Sequence, residues 1–179
     1  MNTAKTLELL RSEAADIRMR ELYGADKAEE NIRRYEDLVQ KFQENFGEKD
    51  ILMFSSPGRT EISGNHTDHN HGKVLAGSIN LDCVGIAAKN ESSKVNIISE
   101  TFHQKFTIDL NDLQPSAKKA GTVDLVKGLL KGFQESGYEV GGFDAYITSN
   151  GPRWCCRKYQ SYLPAPTHGS GCPSWCTLP

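Results

Sequence analysis

The chain has 179 residues, a net charge of -2 and a pI near 6.2, with 37% hydrophobic and 25% charged residues. That balance belongs to a folded, water-facing domain. It excludes the basic footprint of a general nucleic-acid binder, and no apolar run reaches the roughly 20 residues that cross a bilayer. The opening MNTAKTLELLRSEAADIRMRE carries acids throughout and no apolar signal core, so a cytoplasmic protein with no membrane partner is expected.

Residues 1–48 read as a helical extension. Leu7, Leu10, Ala14 and Ile17 recur at three- and four-residue steps. Asp26 with Glu29 three residues on has the form of a capping box, opening a second helix. Tyr35, Val39, Phe42 and Phe46 then make a stripe along one helix face, suited to packing on a core, and Gly47 supplies the stop.

From residue 50 the period changes. DILMFSS, NLDCVGIAAK, SKVNIIS and QKFTIDL are short β-branched or apolar runs between polar turns, and read as strands. The turn-like KNESS makes KVNIIS an expected antiparallel neighbour of CVGIAA. In TVDLVKGLLKGFQESG, Val123, Val126, Leu129, Leu130 and Phe133 share one side of a helix, with Thr122 as expected N-cap and Gly137 as C-cap. FDAYITSN returns to strand character. Strands, one strong helix and a further strand indicate an α+β domain over residues 49–150.

The densest chemistry lies in SSPGRTEISGNHTDHNHG, residues 55–72. It holds Arg59, Glu61, His66, Asp68, His69 and His71 between turn-forming Pro57, Gly58, Gly64 and Gly72. On spacing alone, the three histidines and Asp68 also permit a metal site, and Arg59 alone could be a solvated surface residue. Asp68 is an acceptor-only carboxylate able to take two adjacent hydroxyls. Arg59 is a permanent cation with a rigid donor fork, suited to steadying a reacting oxygen or phosphoryl group.

PGRTEISGNHTDHNHGKVLAGSIN resembles the first signature of galactokinases, within the superfamily of galactokinase, homoserine, mevalonate and phosphomevalonate kinases. The typical pattern is P-G-R-x-N-L-I-G-E-H-T-D-Y-N-x-G-x-V-L-P-x-A-I. Pro57, Gly58, Arg59, Gly64, His66, Thr67, Asp68, Asn70, Gly72, Val74, Leu75 and Ile79 match it in register. The resemblance implies a ribosomal-protein-S5-domain-2-like N-terminal kinase domain. It also implies ATP-dependent phosphorylation of the anomeric hydroxyl of galactose. Arg59 becomes the transition-state stabiliser, and Asn65, His66, Thr67 and Asp68 the substrate-binding run. ATP and Mg2+ are the cofactors of the intact family, and no metal is assigned to the histidines. The alternative is a non-catalytic sugar-binding or regulatory relative using the same pocket.

Two departures bear on this. Asn is usual where this chain has Glu61, and Glu where it has Asn65, so a carboxylate is exchanged across four residues. After FDAYITSN the family continues V-P-x-G-A-G-x-S-S-S-A, the loop that cradles nucleotide phosphates. Residues 151–179 instead read GPRWCCRKYQSYLPAPTHGSGCPSWCTLP, without an acidic residue. Gly-Pro-Arg-Trp-Cys can be encoded so that moving one base along yields Val-Gln-Gly-Gly-Ala. The expectation is therefore a frameshifted or artefactual tail, irregular and disordered, on a truncated fragment that binds no nucleotide and is inactive alone. Cys155, Cys156, Cys172 and Cys176 leave a small zinc knuckle as the rival reading of that tail.

Overall fold

The computed structural model describes residues 1–63, 72–116 and 121–150. Three helices come first: α1 (Thr3–Leu10), α2 (Glu13–Tyr23) and α3 (Ala28–Phe46). The apolar spacing from Leu7 to Ile17 reads as one helix, but the chain breaks it at Ser12. The Ser12 side chain accepts a hydrogen bond from the Ala15 N–H and caps α2, and Ile17 is left exposed. The expected Asp26–Glu29 capping box does not form. Gly24 turns the chain at φ 85, Asp26 falls in a single 3-10 turn (Ala25–Lys27), and Lys27 precedes α3 without a side-chain cap. Gly47 ends α3 as expected, at φ 78, with its N–H on the Gln43 carbonyl.

The strands are β1 (Leu52–Ser63), β2 (Leu75–Lys89), β3 (Lys94–Ser99), β4 (Gln104–Asp109) and β5 (Phe143–Ser149), with α4 (Thr122–Glu135) between β4 and β5. They form one mixed sheet in the order β1-β2-β5-β3-β4. The expected β2–β3 pairing is therefore wrong. β5 lies between them, antiparallel to β2 and parallel to β3. Phe143, Asp144, Ala145 and Tyr146 are all buried, as a strand covered on both faces requires. A short polar turn places β3 beside β4, and the helical crossover through α4 then delivers β5 to the gap.

Each face of the sheet has its own cover. Val84, Ile86, Ala88 and Tyr146 pack with Tyr35, Leu38, Val39 and Phe42 of α3 and with Leu10 and Met19. The opposite face buries Val95, Ile97, Ile108, Phe143 and Ala145 against Val126 and Leu130 of α4. Strand alternation produces this split, since β2 sends even-numbered residues to one side. Gly121, at φ 57, precedes α4, so Thr122 is the first helical residue rather than its N-cap. Ser136 takes the C-cap, and the expected Gly137 follows it at φ 83.

Candidate functional site

The signature occupies the β1–β2 hairpin. Leu52–Pro57 pairs with Asp82–Ala87 in one register; between Pro57 and Arg59 the register shifts, and Arg59 stands opposite Ser78. Between these pairs β1 has Gly58 alone while β2 has Ile79, Asn80 and Leu81, so the surplus lies on β2, bulging opposite Gly58 as strands beside functional sites often do. Only glycine fits there. A Cβ on Gly58 would lie 2.9 Å from both Ile79 Cγ1 and the Leu81 carbonyl oxygen. Arg59 follows at once, on an exposed stretch of strand. Asn65, His66, Thr67 and Asp68 lie outside the described residues, as do His69 and His71.

Pairing of β2 with β5 begins only at Cys83–Ser149. Beyond that point, among the described residues, β1 and β2 continue as a two-stranded ribbon, with Ile62, Val74 and Leu75 exposed. At the branch point sits Asp82, a residue that sequence reasoning passed over as part of an ordinary strand. Its side chain is 4% exposed and that of Arg34, on α3, 16%. The carboxylate accepts from Arg34 Nη1 at 2.6 Å, from Ser55 Oγ on β1 at 2.7 Å and from the Tyr23 hydroxyl at the end of α2 at 2.5 Å. Tyr23 and Tyr35 hydroxyls also meet, at 2.9 Å. Burial, with the neighbouring Tyr35 and Asp82, pushes the Tyr23 phenol far above its ordinary pKa, so it stays a donor.

The Asp82 backbone is engaged as fully. Its N–H donates to Asn150 Oδ1 at 2.8 Å, and its carbonyl accepts from Asn150 N–H, Ser149 Oγ and Arg34 Nη2 at 3.2 Å each. α2, α3, β1, β2 and the end of β5 therefore join at one buried, charge-assisted knot. Removing one partner of such a pair costs about 3–5 kcal/mol, because the other charge is left buried alone.

A second buried carboxylate lies further along the α3-covered face. Asp144 accepts from Lys49 Nζ at 2.5 Å, Asn96 Nδ2 at 2.7 Å and Asn90 Nδ2 at 2.9 Å. Burial alone would raise its pKa, but the hydrogen bonds from Asn96, Lys49 and Asn90 prevail and hold it below the ordinary carboxylate value. Among the described residues, no three of His, Cys, Asp and Glu are grouped so as to hold a metal ion, and no helix is long and apolar enough to cross a membrane.

Residues 40–89 match the galactokinase galactose-binding signature. The chain is 34% identical over 122 residues to a galactokinase of Clostridium tetani, covering 68% of this chain and 31% of that one. It is 37% identical over 127 residues to a galactokinase of Lactococcus lactis subsp. lactis, covering 69% and 32%. A crystal structure of Lactococcus lactis galactokinase complexed with galactose superposes with a TM-score of 0.57 at 36% identity, over 65% of this chain and 31% of that one. The chain thus spans about a third of the length of these relatives. An N-terminal helical layer, a mixed five-stranded sheet and a signature hairpin define the class: an α+β small-molecule kinase domain of the ribosomal-protein-S5-domain-2-like type. Within that class, the matched part of the chain belongs to the galactokinase family.

Proposed function

We propose that the chain carries the sugar-binding half of a galactokinase-type kinase, which phosphorylates the anomeric hydroxyl of galactose. The observation that supports this most directly is the match of the galactose-binding signature to the hairpin bearing Arg59. Asn65, His66, Thr67 and Asp68 hold the sugar. Asp68 accepts hydrogen bonds from two neighbouring hydroxyls, and Asn65 donates and accepts where a carboxylate is usual. Arg59 steadies charge developing on the oxygen or phosphoryl group in transfer. In the complete reaction ATP with Mg2+ supplies the phosphoryl group, and the protein's part is positioning and charge stabilisation. Asn65, His66, Thr67 and Asp68 face sugar hydroxyls, Arg59 faces the group in transfer, and none of the five holds magnesium. A cytoplasmic setting fits this chemistry.

Apart from Pro152, residues 151–179 do not follow the phosphate-loop pattern that resemblance leads one to expect after Asn150. The 179-residue polypeptide is therefore proposed to bind galactose without turning it over. The test is calorimetric titration with galactose, beside an ADP-release assay with galactose and Mg-ATP. Saturable binding that disappears in Asp68→Ala, with no turnover, is expected. Absence of galactose binding would defeat the sugar-site reading, whereas turnover lost in Asp68→Ala would defeat the proposed inactivity. Galactose binding by a full-length reading-frame-restored chain that still turns nothing over would favour the regulatory relative.

A further inference from the structure

We propose that Asp82, clamped by Tyr23 and Arg34, is a positioning residue that sets where the β1–β2 ribbon, and with it Arg59, stands relative to the rest of the domain. The proposal rests on the galactokinase-type reading of the hairpin for its effect on sugar.

The geometry is that of a cantilever. Outward from Pro57 and Asp82, the ribbon has no third strand among the described residues, because β5 first pairs with β2 at Cys83. Two-stranded ribbons in water are marginal by themselves, so the ribbon's direction is decided at its root. Pro57 stands directly opposite Asp82 in the ladder, and Arg59 is two residues further out. Ser55, which donates to Asp82, is two residues inward on β1. Tyr23 and Arg34 carry the same carboxylate to two helices, and Asn150 ties the Asp82 backbone to the end of β5. The root is thus fixed from three directions: helices on one face, β1 along one edge and β5 along the other. A carboxylate fits this task better than an apolar side chain, since its acceptors fix the angle of each donor while apolar packing permits sliding.

A purely structural role predicts something different from a positioning role, and the Lys49–Asp144 pair separates them. It is a comparably buried ion pair on the same α3-covered face, but it lies at the far end of β5 from Arg59. Three variants of the 179-residue chain test the idea: Tyr23→Phe, Arg34→Met and, as control, Lys49→Met. Each is read by thermal unfolding, galactose titration and amide hydrogen exchange. All three should lower the melting temperature. Tyr23→Phe and Arg34→Met should in addition weaken galactose binding about tenfold, the scale of one hydrogen bond lost to the sugar. They should also speed exchange of the Thr60 and Ile79 region amides about tenfold, leaving Val95–Ile98 unchanged. Lys49→Met should do neither. If galactose affinity and ribbon exchange follow melting temperature across all three variants, or if neither moves, the positioning role is overturned. If the parent chain binds no galactose, the exchange experiment alone decides: selective loosening of the ribbon upholds the clamp even though the sugar-site reading has failed.

Discussion

Two glycines in the same hairpin give a sharp test of how the signature is shaped. Gly58 is buried at the register shift, and a Cβ added there meets Ile79 Cγ1 and the Leu81 carbonyl oxygen at 2.9 Å. Real Cβ contacts do not come so close. Ile79 can turn aside, but the Leu81 oxygen belongs to the backbone that leads directly into Asp82. Gly58→Ala must therefore shift the strand, an overpacking effect of about 1–3 kcal/mol. At Gly77, opposite Thr60, an added Cβ would meet nothing within 4 Å, and the backbone has no positive φ. Gly77→Ala should be neutral or slightly stabilising, since glycine weakens a strand interior. Urea and thermal unfolding of both variants should show Gly58→Ala lower by about 6 °C and Gly77→Ala unchanged. Galactose titration should fall with Gly58→Ala, because Arg59 is the next residue. Equal behaviour of the two alanines would refute the claim that close backbone approach shapes this site.

Phe42 is wholly buried between α3 and the sheet, so Phe42→Ala should lose about 3–5 kcal/mol in chemical denaturation. Gly142→Ala should be worse than Gly58→Ala: its Cβ would fall 2.7 Å from the Lys94 carbonyl and closer still to Ser92 O and Asn90 Oδ1, so little soluble protein is expected on expression. Asp144 makes the fold acid-sensitive. Its folded pKa lies below the unfolded value of about 4, so its contribution is fully present above that pH and is lost as pH falls through the lower folded pKa. A melting-temperature series from pH 6 to 2 should fall less steeply in Asp144→Asn than in the parent.

The parts of the fold that were legible in the chain were those written in local period. The Tyr35–Phe46 stripe packs on the sheet because its spacing puts four aromatic and apolar side chains on one face. β5 was readable as a strand but not as the central one, for partner choice is set by the α4 crossover and leaves no local mark. The break at Ser12 was readable in principle: a serine before Glu-Ala-Ala is a capping signal, but the apolar spacing ran on across it. At the site, Arg59 stood out by its place in the signature, whereas Asp82 did not. Its signal was present all the same. Positions 82, 84, 86 and 88 lie on one face of β2, and the last three are valine, isoleucine and alanine. A carboxylate in line with that buried series must find partners or unfold the strand, and Arg34 and Tyr23 are those partners.

The place of β5 also governs how the domain can be made. It is the last of the described strands in chain order, yet it sits in the middle of the sheet. As the polypeptide leaves the ribosome, the β1–β2 and β3–β4 hairpins can each close on themselves but have no edge in common. Only when residues 143–149 emerge can the two halves be joined, with Tyr146 completing the core under α3 and Phe143 and Ala145 the core under α4. Until then both hairpins present open strand edges, the state in which nascent chains pair wrongly or aggregate. Synthesis that stalled ahead of Phe143 would release two unjoined hairpins, whereas synthesis carried a few residues past Ser149 would release a sheet already closed.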